Sequence, residues 1–286
     1  MRMHKMESCF LACSAEYEAA DLVLFGAPFD GTVSYRPGAR FGPSAIRSES
    51  CGIETYSSRL QKDLEGCAAF DAGDLELPFG NSREALDRIR GMAARIVKDG
   101  KLPLMLGGEH LVTLGAVEAL YSRYPDLHIL HFDAHADLRE EYLGQRLSHA
   151  SVIRRCHDLV GDGRIVQLGI RSMTKEEDAF GKEHVTMHKY DLNAVAVEQA
   201  VNSLRGKPVY VTIDLDVLDP SVFPGTGTPE PGGVSFVQLM EAVHQLKNLS
   251  VLGCDACELS PHYDHSGIST IAACKIVREL VLTLLP

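Results

Sequence analysis

Short apolar runs recur along the chain, separated by stretches whose apolar positions fall at helical spacing. The runs Leu22 to Phe25, Ala68 to Ala72, Leu102 to Leu106, Leu127 to Phe132, Ile165 to Ile170, Val185 to Lys189, Val209 to Ile213 and Val251 to Leu259 are the expected strands. Several are continuously apolar rather than alternating, as strands buried on both faces are. Helical patterns fill most of the intervals, notably Ser82 to Lys98, Thr113 to Ser122, Asn193 to Leu204 and Ser235 to Gln245, and Ser269 to Leu284 closes the chain. Repeated strand and helix alternation predicts an α/β protein, a three-layer α/β/α fold with a mainly parallel central sheet of about eight strands. Gly26 to Pro43, rich in glycine and proline, reads as a loop running into a helix capped at Ser44.

Composition narrows the class. No Ser/Pro-rich linker, charge block, low-complexity tract or solenoid repeat interrupts the 286 residues, so residues 1–286 are expected to form a single domain. A net charge of −11 argues against nucleic acid or an anionic membrane as partner. No apolar run approaches the roughly eighteen residues of a membrane span. The first twenty residues carry acids and lack the apolar stretch of a signal peptide, which reads as cytoplasmic. The eight cysteines are scattered in apolar surroundings and are expected to be reduced. Cys254 and Cys257 have metal-motif spacing but no second pair; in a strand they would face opposite sides.

The chemistry collects at strand ends. The run through Phe132 leads into Asp133-Ala134-His135-Ala136-Asp137, and the run through Ile213 leads into Asp214-Leu215-Asp216. Read as extended chain, Asp133, His135 and Asp137 share one face and Asp214 and Asp216 another. A further histidine, His110, follows Leu102 to Leu106 in Gly107-Gly108-Glu109-His110. In open α/β sheets this rim is where ligands bind, and carboxylates crowded there repel one another unless cations neutralise them. Four aspartates and two histidines are too many for one closed zinc site. They suit two divalent ions with bridging carboxylates and a water-derived hydroxide, and their oxygen-rich character points to Mn²⁺. Two ions bring four positive charges against five negative ones, leaving a slightly negative site that suits a cationic substrate.

These segments carry a resemblance. Gly107-Gly108-Glu109-His110, Asp133-Ala134-His135-Ala136-Asp137, Ser148-His149-Ala150-Ser151, Asp214 to Pro220, Pro224 to Pro229 and Glu258-Leu259-Ser260-Pro261, in this order, resemble the ureohydrolase family of arginase, agmatinase and relatives. Within it the chain looks closest to the agmatinases. The resemblance begins at Gly26 to Asp30, continues through Tyr35 to Pro43, and spans essentially the whole chain.

The resemblance implies one ion held by His110, Asp133, Asp137 and Asp214 and another by His135, Asp133, Asp214 and Asp216. It implies a hydroxide that attacks a guanidinium carbon, with Asp137 passing a proton to the leaving amine. His149 matches a proton-shuttling histidine at the cleft, and Glu258 a glutamate that binds the substrate guanidinium. The loop Gly26 to Pro43 would border the mouth, with Arg36 as an anchor. The polar residues with which arginases hold the amino-acid head of arginine are missing after Asp137, where the chain reads Leu138-Arg139-Glu140-Glu141-Tyr142. Glu140 or Glu141 is positioned to meet a distal ammonium, and Arg139 a distal carboxylate. Agmatine cleavage to putrescine and urea is therefore the leading expectation. The alternatives are a guanidino-acid amidinohydrolase such as a guanidinobutyrase, an arginase, and a non-catalytic metal-stabilised binding protein. At the position after His110, where a small polar residue often stands in relatives, this chain has Leu111. The resemblance also implies a homo-oligomer, a trimer or hexamer.

Overall fold

All eight apolar runs form strands of one sheet in the computed structural model, which describes residues 9–190 and 192–286. Residues 1–8 of the N-terminal stretch read above lie outside the described residues. In chain order the elements are β1 (Leu22–Ala27), α1 (Gly42–Glu49), a small hairpin of β2 (Tyr56–Ser57) and β3 (Lys62–Asp63), β4 (Ala69–Asp74), α2 (Ser82–Lys98), β5 (Leu102–Gly107) and α3 (Thr113–Arg123). They continue with β6 (His128–Phe132), α4 (Val152–Val160), β7 (Ile165–Ile170), α5 (Lys175–His184), β8 (Thr186–Lys189), α6 (Ala194–Leu204), β9 (Pro208–Asp214), α7 (Phe236–Gln245), β10 (Ser250–Cys257) and α8 (Ile268–Leu284).

The large sheet runs β4-β1-β5-β10-β9-β6-β7-β8, and every neighbouring pair is parallel. One face, carrying Leu24, Leu104, Val211 and Cys254, packs against apolar residues of α1, α6, α7 and α8. The other, carrying Val23, Met105, Ile129, Tyr210 and Cys257, packs against α2, α3 and α4. Alternation along β10 thus puts Cys254 and Cys257 on opposite faces, as expected of a strand. All eight cysteines are free. Among the described residues no helix is long and apolar enough to cross a membrane.

Local chemistry explains where the elements start. Asn193 and Ser235 precede their helices rather than opening them, because their side chains accept from backbone N–H groups of the first turn. Ser44 does not cap α1. That helix begins two residues earlier, with Pro43 in its first turn, and the Ser44 hydroxyl donates to Phe41 O at 3.1 Å. The short helix α5 is mostly charged and lacks a clear apolar stripe; its start is written instead in a capping box between Thr174 and Glu177.

Chain order and spatial order disagree at the centre of the sheet. β5 and β6 are consecutive large-sheet strands, yet β10 and β9 lie between them. The carboxyl ends of β5, β10, β9 and β6 therefore stand side by side, the kind of crevice in which α/β sheets bind ligands.

Candidate metal centre and active site

Each of those four strands delivers side chains to the crevice through an irregularity at its carboxyl end. After β5, Gly108 runs so close to the loop following β1 that a Cβ would stand 2.0 Å from Phe29 O. Only glycine permits that approach, and the 3₁₀ turn His110–Val112 follows. After β6 the chain bends at Ala134, although His135 still bridges to Ser172, so Asp133, His135 and Asp137 do not converge by the uninterrupted strand alternation the sequence suggested. The strand stops at Phe132, and Asp137 takes a left-handed φ of 53°. After β9, Asp216 sits in a 3₁₀ turn whose N–H donates to Asp214 Oδ1 at 2.9 Å. After β10, Glu258 is also left-handed, with φ 68°. Non-glycine residues held this way are strained, and such strain gathers at functional sites.

The six expected ligands are brought together. His110 Nδ1 lies 3.1 Å from Asp133 Oδ2, 3.0 Å from Asp137 Oδ2 and 3.5 Å from Asp214 Oδ2. His135 Nδ1 lies 3.0 Å from Asp216 Oδ2 and 3.5 Å from Asp133 Oδ1. Asp133 and Asp216 are fully buried, and Asp137 and Asp214 nearly so.

The proton on His110 can be placed. Thr212 Oγ1 donates to Asp255 Oδ1 at 2.7 Å, so toward His110 Nε2, 2.9 Å away, the hydroxyl oxygen is left as acceptor. In the neutral ring Nε2 then carries the hydrogen, and Nδ1 aims a lone pair at three carboxylates. Acceptors facing acceptors need a proton or a cation between them. Protonating both histidines would still leave two of the four aspartate charges uncompensated in a buried site. The donor set therefore fits divalent cations, with their own charge as the missing partner.

The electrostatics of the buried groups carry the same deficit. Burial, reinforced by neighbouring carboxylates, pushes Asp137 up to about 7 and Asp214 and Glu258 well above the usual range. Burial alone would lower His110 and His135, but the aspartates around them hold both well above an ordinary imidazole. Asp133 goes the other way: burial would raise it, yet hydrogen bonds from His110 and His131 bring it well below a normal carboxyl.

Several supporting residues escaped the sequence reading. His131 Nε2 lies 2.8 Å from Asp133 Oδ2, and its Nδ1 receives a hydrogen bond from Gln167 Nε2 at 2.9 Å. Its position two residues before Asp133 was the available signal. Asp255, fully buried, accepts from Tyr210, Thr113 and Thr212 and so fixes the Thr212 hydroxyl that orients His110. Partners behind the ligands set tautomer and ring orientation at metal sites.

Glu258 and His149 line the same cavity of about 250 Å³ as His110, His135, Asp137 and Asp214. Glu258 Oε1 accepts from His110 N at 2.7 Å. His149 opens a 3₁₀ turn capped by Ser148, and its ring meets Tyr142 edge-on at 5.7 Å. Its backbone N–H donates to Thr32 Oγ1 at 3.0 Å, and its Nδ1 is 3.4 Å from the same hydroxyl. Thr32 is itself held by buried Glu109 through its N–H at 2.8 Å and its hydroxyl at 2.6 Å. Burial lowers His149 to about 4, so it rests neutral at physiological pH. Glu109, which sequence reading passed over, thus reaches His149 through the loop after β1.

That loop is fixed chiefly by Asp30, which accepts from Gly38 N at 2.8 Å and pairs with Arg40. Arg36 lies against the rings of Tyr35 and Tyr263 at 5.0 and 5.3 Å, joining it to the turn beyond Glu258. Neither Glu140 nor Glu141 lines the cavity. Glu140 is committed to Arg146, Arg154 and Arg155, and Glu141 faces a neighbouring cleft. The outer wall holds Arg139, Tyr142, Thr174 and Glu177. Leu111 is fully buried in the α2–α3 side of the core, an apolar position in this fold.

Residues 20–283 match the arginase family. The chain belongs to that family. It is 46% identical over 276 residues to an agmatinase of Bacillus subtilis, covering 96% of this chain and 95% of that one. It is 34% identical over 278 residues to the human mitochondrial guanidino acid hydrolase, covering 93% and 79%. Among solved structures, a Clostridium difficile protein provisionally assigned as an agmatinase is 52% identical, with a TM-score of 0.91 and coverage of 94% and 98%. The eight-stranded arginase-like fold expected from the sequence is the one these relatives share.

Proposed function

We propose that this protein hydrolyses the guanidino C–N bond of agmatine, releasing putrescine and urea, with two Mn²⁺ ions per chain. The observation that carries the reading is the buried aspartate and histidine cluster beside Glu258 in one cavity. The agmatinase of Bacillus subtilis, nearly half identical along its length, supports the choice of substrate. We assign one ion to His110, Asp133, Asp137 and Asp214, the carboxylates grouped around His110 Nδ1, and the other to His135, Asp133, Asp214 and Asp216. Bound there, the ions would lower the pKa of water enough to give a nucleophile at neutral pH, and oxygen-rich ligation favours Mn²⁺.

The chain's own residues do the rest. Glu258 keeps one oxygen on His110 N and offers its carboxylate to the planar, doubly donating guanidinium. Asp137, which lines the cavity, is placed to take the proton of the attacking water and pass it on toward the leaving amine. His149, neutral at rest, has Nδ1 beside the Thr32 and Ser148 hydroxyls, which leaves the Nε2 lone pair to take up that proton and relay it to the departing amine. At the outer wall, Arg139 is stacked on Tyr142 at 4.5 Å and lies 3.6 Å from Glu177, so its charge is already partnered and does not call for a substrate carboxylate. The free thiols support a cytoplasmic setting, and the family resemblance supports homo-oligomeric assembly.

The reading is tested by urea release across agmatine, arginine, 4-guanidinobutyrate and 3-guanidinopropionate, with formamide release from formimidoylglutamate as a further arm. Agmatine should exceed arginine in kcat/KM by at least about a hundredfold, since a carboxylate without a partner costs a few kcal/mol and each 1.4 kcal/mol is roughly tenfold. Arg139, half-exposed in the wall, favours a guanidino-acid substrate if it swings free of Tyr142. A preference for 4-guanidinobutyrate would therefore replace agmatine, and no turnover of any guanidino compound would leave a binding protein.

Replacing His149 by alanine should leave metal content unchanged and lower kcat by about ten- to a thousandfold, the range for one lost proton carrier. Thr32→Val removes the hydroxyl that holds His149 and should lower kcat by about tenfold, whereas Thr32→Ser keeps it. Loss of metal from the His149→Ala protein would make that histidine a ligand instead.

A further inference from the structure

We propose a third metal site, for a zinc-like divalent cation, built from His157 at the end of α4, Asp162 in the loop that follows, and His184 at the end of α5. His157 Nε2 and His184 Nδ1 approach the same oxygen of Asp162, at 2.8 and 2.7 Å. All three donor atoms lie within 4.8 Å of one another. The proposed catalytic cluster shows the same feature, with imidazole nitrogens about 3 Å from carboxylate oxygens.

The arrangement is built by the backbone and not by chance side-chain contact. Asp162 stands between Gly161 and Gly163, both left-handed with φ 82° and 70°. Gly161 N donates to the carbonyl of His157 at 2.8 Å, and Gly163 N to the carbonyl of His184 at 3.0 Å. One turn thus clamps the main chains of both histidines on either side of the carboxylate. The Phe180 ring packs against both imidazoles, at 4.9 and 4.2 Å, limiting their rotation.

Two imidazoles and one carboxylate suit zinc better than manganese or magnesium. Three protein ligands leave a fourth position for water, and here it opens to solvent because the Asp162 side chain is 68% exposed. At zinc ligand lengths of about 2.0 to 2.2 Å the donors sit roughly 3.3 Å apart, so the present contacts need to widen by only about half an ångström. None of the three residues lines the catalytic cavity. The ion would tie α4 to α5, and α5 carries Glu177, which accepts from Leu138 N at 3.0 Å in the cavity wall.

The test is equilibrium dialysis of the manganese-loaded protein against zinc, with both metals counted. The natural chain should take up one more zinc per chain than His157→Ala or Asp162→Asn under the same conditions, and zinc should raise its Tm but not theirs. Removing one of three ligands should weaken zinc by more than the roughly ten- to hundredfold lost with an outer partner. Without zinc the variants should hydrolyse the best guanidino substrate as the natural chain does. His184→Ala provides an independent removal should either of the others lower stability. Equal zinc uptake by the natural chain and the variants would overturn the site, and would do so whatever the substrate panel shows.

Discussion

Chelating the divalent cations is expected to reduce hydrolysis to background, and adding Mn²⁺ to restore it. The metal-free protein lacks enough positive charge to hold Asp133, Asp137, Asp214 and Asp216 together, because the basic groups facing them are the imidazoles of His110, His131 and His135, each at most singly charged. Metal bound only by the folded state stabilises it by about 2.7 kcal/mol at a hundredfold excess over Kd, so Tm should fall on chelation. The loss should depend on pH. With Asp137 at about 7 in the metal-free fold, above the roughly 3.9 of an unfolded aspartate, the folded state holds more protons than the unfolded one between those values. Stability of the metal-free protein therefore falls as pH rises through that window. His110 and His135, also raised, act in the same direction above about 6.5. The manganese-bound protein should be flatter. Full activity with a single tightly bound ion per chain would refute the two-ion assignment.

The Glu258→Gln protein should lose about two to four powers of ten in kcat/KM, corresponding to roughly 3 to 5 kcal/mol. The amide keeps the shape and one acceptor, but its other end presents a donor to a guanidinium that has only donors. Its remaining oxygen can still accept from His110 N, and Glu258 is outside the assigned ligands, so both metals should stay bound. Near-normal kcat/KM in this variant would remove the guanidinium anchor and with it the argument from a negative site to a cationic substrate.

Much of this was legible in the sequence because most large-sheet strands are buried on both faces and read as apolar runs; the edge strand β8, Thr186–Lys189, is the partly exposed exception. The β2–β3 hairpin was not, since Tyr56, Ser57, Lys62 and Asp63 carry no run at all. The ligands were found by residue type and position, but strand alternation was an incomplete reason for their convergence: the bend at Ala134, the left-handed Asp137 and the 3₁₀ turn after Asp214 also aim them. The support for His110 was invisible for a different reason. Thr212 and Asp255 are register partners on β9 and β10, and their partnership exists only once the pairing of those strands is known. Glu109 was hidden in the same way, its link to His149 passing through Thr32 on a loop 77 residues earlier in the chain.

The sheet order has a consequence for synthesis on the ribosome. β10, Ser250–Cys257, is the last strand of the chain and lies between β5 and β9. Until it has emerged, the strand ends bearing His110 on one side and Asp214 on the other have no strand between them, and neither Asp255 nor Glu258 is present. A nascent chain halted before β10 can pair β6 with β9, but it lacks the strand that seats His110 beside the other five ligands. Closure of the full ligand set is thereby tied to the emergence of β10, and long-range pairing of this kind is intrinsically slow and aggregation-exposed.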